Sequence, residues 1–366
     1  MSEFEKDKSV KAIRKEFFAA ANSGKGFISF YDSIFKGKNI KRRYLIKGGP
    51  GTGKSTFMKA LAQAAEGLYM HVERYRCSSD PTSLDGIIIN NCVAVIDSTA
   101  PHAEEAELVG ARDVLVDLGA FWNSEGLYAS REQIESLTKK KKQAYALAYK
   151  FLSSAMDCDA ASREFVIPYV DSKHLTKLAK RFTRNIKSDG TYECKIGLLD
   201  SIGMKGRYRL DTYKALSQRV IYIEEHYGIG YLAICEICEE ARRKGCKICV
   251  SYNPLSPDYP DAVFFEESKT LFTLCEPRTK GAVSLRRALD ISIFSKVQKN
   301  ELKAKSRNAK RISDSLILAA TDELKVAGEA HFELEKIYRS NMDFSALNSY
   351  TSQLTEQILD FCRVNN

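Results

Sequence analysis

No run of about 18 apolar residues occurs anywhere in the 366-residue chain, so no membrane-spanning helix and no membrane partner is expected. The first residues, MSEFEKDKSVKAIRKEFF, mix acidic and basic side chains and lack an apolar core, which excludes reading them as a secretory signal. Without such a signal, the ten cysteines are expected to be reduced thiols in a cytoplasmic protein. Hydrophobic residues at 44% and charged residues at 28% exclude a disordered or fibrous chain, and the length suits two domains of ordinary size. The net charge of +9 would favour polyanions such as nucleic acid. Its basic residues are expected to be spread along solvated helix faces, so nucleic acid is not the favoured partner.

What the chain does have is a glycine-rich turn between a strand and a helix. Residues 44–56 read YLIKGGPGTGKST. Tyr44, Leu45 and Ile46 suit a buried strand. Gly48, Gly49, Pro50, Gly51, Thr52 and Gly53 then form a loop whose glycines let consecutive N–H groups point at phosphate oxygens. Lys54 is expected to set its ammonium between the β- and γ-phosphates, and the Ser55 hydroxyl to complete a Mg²⁺ shell, with Thr56 closing the motif. Phe57, Leu61 and Ala64 mark the following helix, whose positive N-terminal end faces the phosphates.

A metal held by Ser55 needs a carboxylate nearby. Val93-Ala94-Val95-Ile96-Asp97 is an apolar strand ending in an acid, and Asp97 is expected to hold Mg²⁺ through water or to polarise the attacking water. The competing role for Asp97 is to cap the turn before Pro101. Asp80 and Asp85, in CSSDPTSLDG, are further candidates, since the loop after the second strand faces the same crevice. His102 is expected to be a surface or structural residue.

Shifted by 177, YLIKGGPGTGKSTFMKALAQA lies over IYIEEHYGIGYLAICEICEEA. Gly228 and Gly230 fall on Gly51 and Gly53, Val220–Ile223 on the first strand, and Ile234, Ile237, Cys238 and Ala241 on the buried helix face. At nearby shifts Asp32-Ser33-Ile34 matches Asp200-Ser201-Ile202, Asp85 matches Asp261, and Met156-Asp157 matches Met342-Asp343. The second copy has lost its chemistry: Tyr231 replaces the lysine, Leu232 the serine, and Glu225 stands where Gly48 is. An acid and a missing cation repel triphosphate.

KEFFAAANSGKGFISFYDSI, IKGGPGTGKSTFMK, CSSDPTSLDG, VAVIDSTAPH and DLGAFWNSEGL, in that order, resemble a bacterial family of cytosolic proteins built from two tandem P-loop ATPase domains. The resemblance covers the N-terminal half and, more loosely, the C-terminal half. It implies an α/β P-loop NTPase three-layer fold with a mainly parallel sheet, present twice in tandem, and nucleotide binding at residues 48–56. The family often keeps a working second loop, and this sequence departs from it there. The expected division is residues 1–165, with the intact loop and a helical extension, and 166–366, with the degenerate loop and a C-terminal helical segment.

Those extensions are expected from about residue 130 to 156 and from about residue 285 to 362, as lids, an interface or a brace; Lys139–Lys142 is expected to be a solvated helix face. Cys235, Cys238, Cys246 and Cys249 have zinc-like spacing, yet the repeat places the first two on a helix and the last two on a strand. Strand residues three apart point to opposite faces, so buried thiols are expected and zinc is not. The expected function is Mg²⁺-dependent ATP hydrolysis at one site. The alternatives are a small-molecule or nucleotide kinase, with Arg74, Arg76 and the helical segment supplying its cationic lid and acceptor pocket, and a nucleotide-sensing scaffold without turnover.

Overall fold

The computed structural model describes residues 14–101, 104–276, 278–289 and 295–365. Its first half runs β1 (Lys15–Phe18), the hairpin β2 (Ala20–Ser23) and β3 (Gly26–Ser29), α1 (Tyr31–Phe35), β4 (Arg42–Lys47), α2 (Lys54–Gly67), β5 (Val72–Arg76), β6 (Leu84–Ile89), β7 (Val93–Asp97), β8 (Asp113–Asp117), α3 (Ser124–Ala129) and α4 (Arg131–Glu164). After α5 (Ser172–Thr183) come β9 (Glu193–Ile196), the hairpin β10 (Asp200–Gly203) and β11 (Gly206–Arg209), α6 (Thr212–Leu216), β12 (Arg219–Glu224), α7 (Gly230–Lys244), β13 (Lys247–Tyr252), β14 (Pro260–Phe265), β15 (Thr270–Cys275), α8 (Lys296–Ser340) and α9 (Phe344–Val364).

The first sheet has the order β1-β5-β6-β7-β4-β8 and the second β9-β13-β14-β15-β12. Strand for strand the pairings agree: parallel at β1-β5 and β9-β13, antiparallel on both sides of β6 and of β14, parallel at β7-β4 and β15-β12. Even the irregularity recurs, between Tyr75 and Arg76 in one half and Ser251 and Tyr252 in the other. The edge strand β8 shrinks in the second half to one bridge between Ile223 and Val283. Each sheet is thus mainly parallel, as expected, and is made mixed by one reversed strand, β6 or β14. The cause lies in short turns: Asn90 and Asn91 take φ of 50° and 54°, and two such residues close a hairpin that forces β6 and β7 antiparallel.

Alternation along the strands shows the layers. Tyr44 and Ile46 of β4, Ile87 and Ile89 of β6, and Val93 and Val95 of β7 pack against Phe57, Met58 and Leu61 of α2. Leu45, Ile88, Ala94 and Ile96 point the other way, into a core shared with Ala262, Phe264 and Leu271 of the second sheet and with α1 and α6. The inner faces of the two sheets thus share one core, while α2 and α9 cover the outer face of the first sheet and α5 and α7 that of the second. This differs from two separate three-layer units.

The terminal helices are exchanged. Leu347, Leu354, Ile358, Leu359 and Cys362 of α9 complete the outer core of the first sheet, while Leu175, Leu178 and Ala179 of α5 complete that of the second, against Ile234 and Ile237. A chain division at 165/166 follows sequence order; packing crosses it. Helices α4 and α8 carry the exchange, running side by side in opposite directions. Ser162 near the end of one bonds Ser306 near the start of the other (3.2 Å), and Asn123 before α4 donates its N–H to Asn341 after α8 (2.8 Å). The first extension reaches Glu164, eight residues beyond the expected Met156, and the second is two helices joined at 341–343.

Two of the smaller matches are corrected. Asp32-Ser33-Ile34 lies in α1 whereas Asp200-Ser201-Ile202 forms β10, whose counterpart is β2. Met156-Asp157 lies inside α4, whereas Asp343 caps α9 by accepting from the Ala346 N–H (3.0 Å). Its counterpart is Asp171, which caps α5 through the His174 N–H (3.0 Å). Asp85 and Asp261 do correspond, each being the second residue of its strand.

Candidate functional site

Strand β4 enters the loop at Gly48, and α2 leaves it at Lys54. The turn needs glycine: Gly48, Gly51 and Gly53 take φ of 151°, 71° and 84°, where a side chain is strained. No side chain caps α2, so its first N–H groups are left for a ligand or solvent. The Lys54 ammonium curls back and donates to the carbonyls of Gly48 (2.9 Å) and Gly49 (2.8 Å). The Thr52 hydroxyl also donates to Gly49 O (2.9 Å). Pro50 is part-buried in the loop, and Thr56 is exposed on α2.

Asp97 sits at the end of β7, paired in register with Ile46 of parallel β4, and so beside the loop. Its Oδ1 accepts from the Thr99 N–H (3.0 Å) and hydroxyl (2.6 Å), which is the turn-capping role. Its Oδ2 lies 3.7 Å from Lys54 Nζ. One carboxylate therefore caps the turn and also faces the Lys54 ammonium. The Ser55 hydroxyl accepts the Leu84 N–H (3.0 Å), which ties α2 to the start of β6.

Because β6 is antiparallel to β7, its first residues reach the same end of the sheet as Asp97. Asp85 is buried there. Burial, then Asp85, then Asp97 hold the Tyr31 hydroxyl far above its ordinary value, so this α1 side chain belongs to the cluster although no sequence motif points to it. Burial and Asp85 likewise push the Cys77 thiol up. Asp80 instead serves its turn, accepting from the Thr82 N–H (3.2 Å) and hydroxyl (2.7 Å), and pairs with Lys205 (3.6 Å). On β5, Arg74 is tied to Glu66 of α2 (2.5 Å) and Arg76 to Glu16 of β1 (2.8 Å), so both guanidinium groups already have carboxylate partners. His102 lies outside the described residues.

The loop is covered by the last turns of α8. A Cβ built on Gly51 would lie 2.7 Å from the Glu335 carbonyl oxygen and 2.9 Å from Arg339 Cγ; on Gly49 it would lie 2.9 Å from Tyr338 and 3.2 Å from Trp122. His331, hydrogen-bonded to Glu335, lowers that carboxyl below its ordinary value, with Arg339 and Lys54 as smaller contributors. Burial, then Lys54 and Lys142, depress Lys141 of α4, which places part of the lysine run beside the loop and not wholly in solvent. Nothing local in the sequence marks Glu335 or Arg339; they come from the far half of the chain.

The second loop has the same cover and different contents. A Cβ on Gly228 would lie 2.6 Å from Arg163 Cγ, and Arg163 is the penultimate residue of α4 as Arg339 is of α8. Glu225 turns its carboxylate inward, and its Oε1 accepts the Gly230 N–H (3.0 Å) at the start of α7. Burial raises Glu225 above its ordinary value while that bond and the one from His226 oppose the shift. Tyr231, in the place of Lys54, packs on Tyr259 (4.1 Å between ring centres), and Arg163 stacks over the same ring at 4.7 Å.

Cys235 and Cys238 lie on α7 and Cys249 on β13, where its Sγ donates to Glu266 (3.1 Å). Cys246, expected on that strand, is buried one residue before it. Compared with known protein families, curated proteins and solved structures, the chain matches none.

Proposed function

We propose that this chain is a P-loop nucleoside triphosphatase that binds one ATP with Mg²⁺ at residues 48–56 and hydrolyses it. The observation that carries the reading is the setting of Lys54. Its ammonium is cradled by two loop carbonyls and stands 3.7 Å from Asp97, at the ends of two adjacent parallel strands. A triphosphate carries about four negative charges, and Lys54 can exchange its carbonyl partners for phosphate oxygens in stronger, charge-assisted bonds. The glycines and the uncapped start of α2 offer backbone N–H groups to the same anion.

The donor set fits magnesium. Ser55 offers a hydroxyl and Asp97 a carboxylate, both hard oxygen donors. When bound, Mg²⁺ supplies charge neutralisation at the β- and γ-oxygens. Asp97 has its Oδ1 fixed by Thr99, and its Oδ2, 3.7 Å from Lys54, would orient a water toward the γ-phosphorus. Arg339 and Lys141 bring two further cations to the rim from α8 and α4.

The test is release of inorganic phosphate from ATP and from GTP by the purified protein, with and without Mg²⁺ and added metabolites. Mg²⁺-dependent release without an acceptor, abolished in Asp97→Asn while nucleotide still binds, supports hydrolysis. Transfer seen only with an added acceptor makes the protein a kinase. Tight binding with neither outcome makes it a sensor.

A further inference from the structure

Residues 278–311 carry eleven Lys and Arg against two acidic residues, Asp290 and Glu301, so this stretch alone equals the net charge of +9 of the whole chain. The positive charge is concentrated, not spread along many helices. Among the described residues of the stretch only Lys310 is ion-paired, with Glu276 (3.9 Å) and Asp314 (3.8 Å). Lys299, Lys303, Arg307 and Arg311 follow one another at intervals of four along α8 and form a row, with Lys303, Arg307 and Arg311 exposed. Like charges at this spacing destabilise a helix unless something neutralises them.

The row stands beside the second glycine loop. Leu302, between its cations, packs on Ile229 and Val166. Burial first, then Arg286 and Lys303, hold the His226 imidazole below its ordinary value, and Arg286 and Arg307 act on Tyr227. Flat rings lie among the cations: His226 against Tyr227 at 4.2 Å, and Phe165, 52% exposed, beneath the Lys305 ammonium at 5.0 Å. Successive cations of the row rise about 6 Å along the helix, a step on the scale of a stretched sugar–phosphate unit.

We propose that the first third of α8, together with Arg286, Tyr227 and Phe165, is a docking surface for single-stranded nucleic acid. Cations in a row meet the phosphates, and the exposed ring of Phe165 and the half-buried ring of Tyr227 accept bases that a duplex would keep stacked away. The second loop, where Glu225 already holds the Gly230 N–H, carries His226 and Tyr227 into this surface.

The experiment is fluorescence anisotropy of the full chain with labelled RNA and DNA strands of about 20 nucleotides, and their duplexes, across a range of salt concentrations. Single strands should bind more tightly than duplexes, with the logarithm of affinity falling linearly with the logarithm of salt. The combined variant Lys303→Gln, Arg307→Gln, Arg311→Gln should lose at least about tenfold in affinity and flatten the slope by about 2, at roughly 0.7 per lost contact. Removing the same charge from α4 by Lys139→Gln, Lys140→Gln, Lys142→Gln should change neither. Phe165→Ala should weaken binding without altering the slope. Equal losses in both triple variants, no binding at about 50 mM salt, or tighter binding to phosphatidylserine vesicles than to the strands would each overturn the proposal. No triphosphate is present in this assay, so its failure leaves the reading of residues 48–56 untouched.

Discussion

Phe18 and Leu198 exchange a reciprocal pair of backbone hydrogen bonds, 2.8 Å from Phe18 N to Leu198 O and 3.2 Å in return. Each stands two residues before the first hairpin strand of its half, β2 or β10, so each is bonded to its own counterpart. A residue can meet its counterpart in this way only on a two-fold axis, and the axis organises the rest. The β10–β11 turn docks on the loop after β5 through Met204 N to Ser79 O (3.0 Å) and Lys205 to Asp80 (3.6 Å). The β2–β3 turn docks on the loop after β13 through Gly24 N to Leu255 O (3.0 Å) and the pair Lys25–Asp258. Arg339 lies on Gly51, and Arg163 lies on Gly228. Each glycine loop is thus roofed by the helix of the other half.

That roof gives a prediction at two glycines of one loop. Gly51 and Gly53 both take left-handed φ, 71° and 84°, so alanine is strained at either by about 1–2 kcal/mol. At Gly51 the new Cβ also strikes the Glu335 carbonyl at 2.7 Å, whereas at Gly53 the nearest atom is Leu347 Cδ2 at 3.5 Å. Backbone cannot swing aside as a side chain can. Gly51→Ala should therefore lower the melting temperature clearly more than Gly53→Ala. Equal shifts in thermal unfolding would mean that α8 does not rest on the loop.

Local chemistry was legible in the sequence, and exchange between halves was not. Glycines that need positive φ, an apolar strand ending in Asp97, and the loss of Lys and Ser at Tyr231 and Leu232 are all written within a few residues. Val93–Asp97 reads as a buried parallel strand and pairs so with β4, whereas the reversal of β6 before it rests on the Asn90-Asn91 turn. Helix α9 reads as an amphipathic helix; nothing in its pattern says which sheet it covers. Arg339 and Glu335 look like ordinary charges on a helix face, because their importance comes from a loop almost three hundred residues away.

The exchange itself predicts where damage is felt. Ile358 of α9 is fully buried against α2 and the first sheet. Ile358→Ala should cost about 2–5 kcal/mol, the range for truncating a buried aliphatic side chain. The loss should appear as faster hydrogen exchange in β4, β6 and β7, with β13–β15 little changed. Faster exchange confined to the second half would contradict the packing.

Acid should weaken the first sheet at a particular place. Arg43, fully buried on β4, makes a two-pronged bond to Asp113 on β8, from Nε (2.7 Å) and Nη2 (2.9 Å). Arg43 first, with Arg112 and the N–H groups of Leu108 and Glu107 adding to it, holds the Asp113 carboxyl far below the usual range. In the unfolded chain it titrates near about 3.9. The folded value is the lower one, so the stabilisation is complete above that pH and is lost as pH falls from about 4 toward the folded value. Asp113→Asn should cost about 3–5 kcal/mol at neutral pH, since it strands a buried guanidinium. Its stability should also fall less steeply below about pH 4 than that of the parent. Parallel acid profiles in chemical denaturation would assign the slope to other carboxylates.

One chain should bind one triphosphate, although it has two glycine loops under two arginines. In the first loop the groups that meet an anion are held by partners a ligand can replace, the carbonyls on Lys54 and nothing on the start of α2. In the second, the corresponding start of α7 already has its anion, since Gly230 N–H donates to Glu225 Oε1 at 3.0 Å. An incoming phosphate would have to expel that carboxylate from a buried site, and would then find Tyr231 where the ammonium should be. The roof arginine does not make up the loss, because Arg163 is buried and stacked over Tyr259 at 4.7 Å. Titration calorimetry with ATP and Mg²⁺ should give a stoichiometry near one in the parent, near zero in Lys54→Ala, and near one in Glu225→Gln, which removes the internal charge without supplying a cation. Thermal unfolding of Lys54→Ala should match the parent in the absence of ligand. A site that survives Lys54→Ala would show that Arg163 leaves Tyr259 to serve the second loop, and the self-plugging role given to Glu225 would then be wrong.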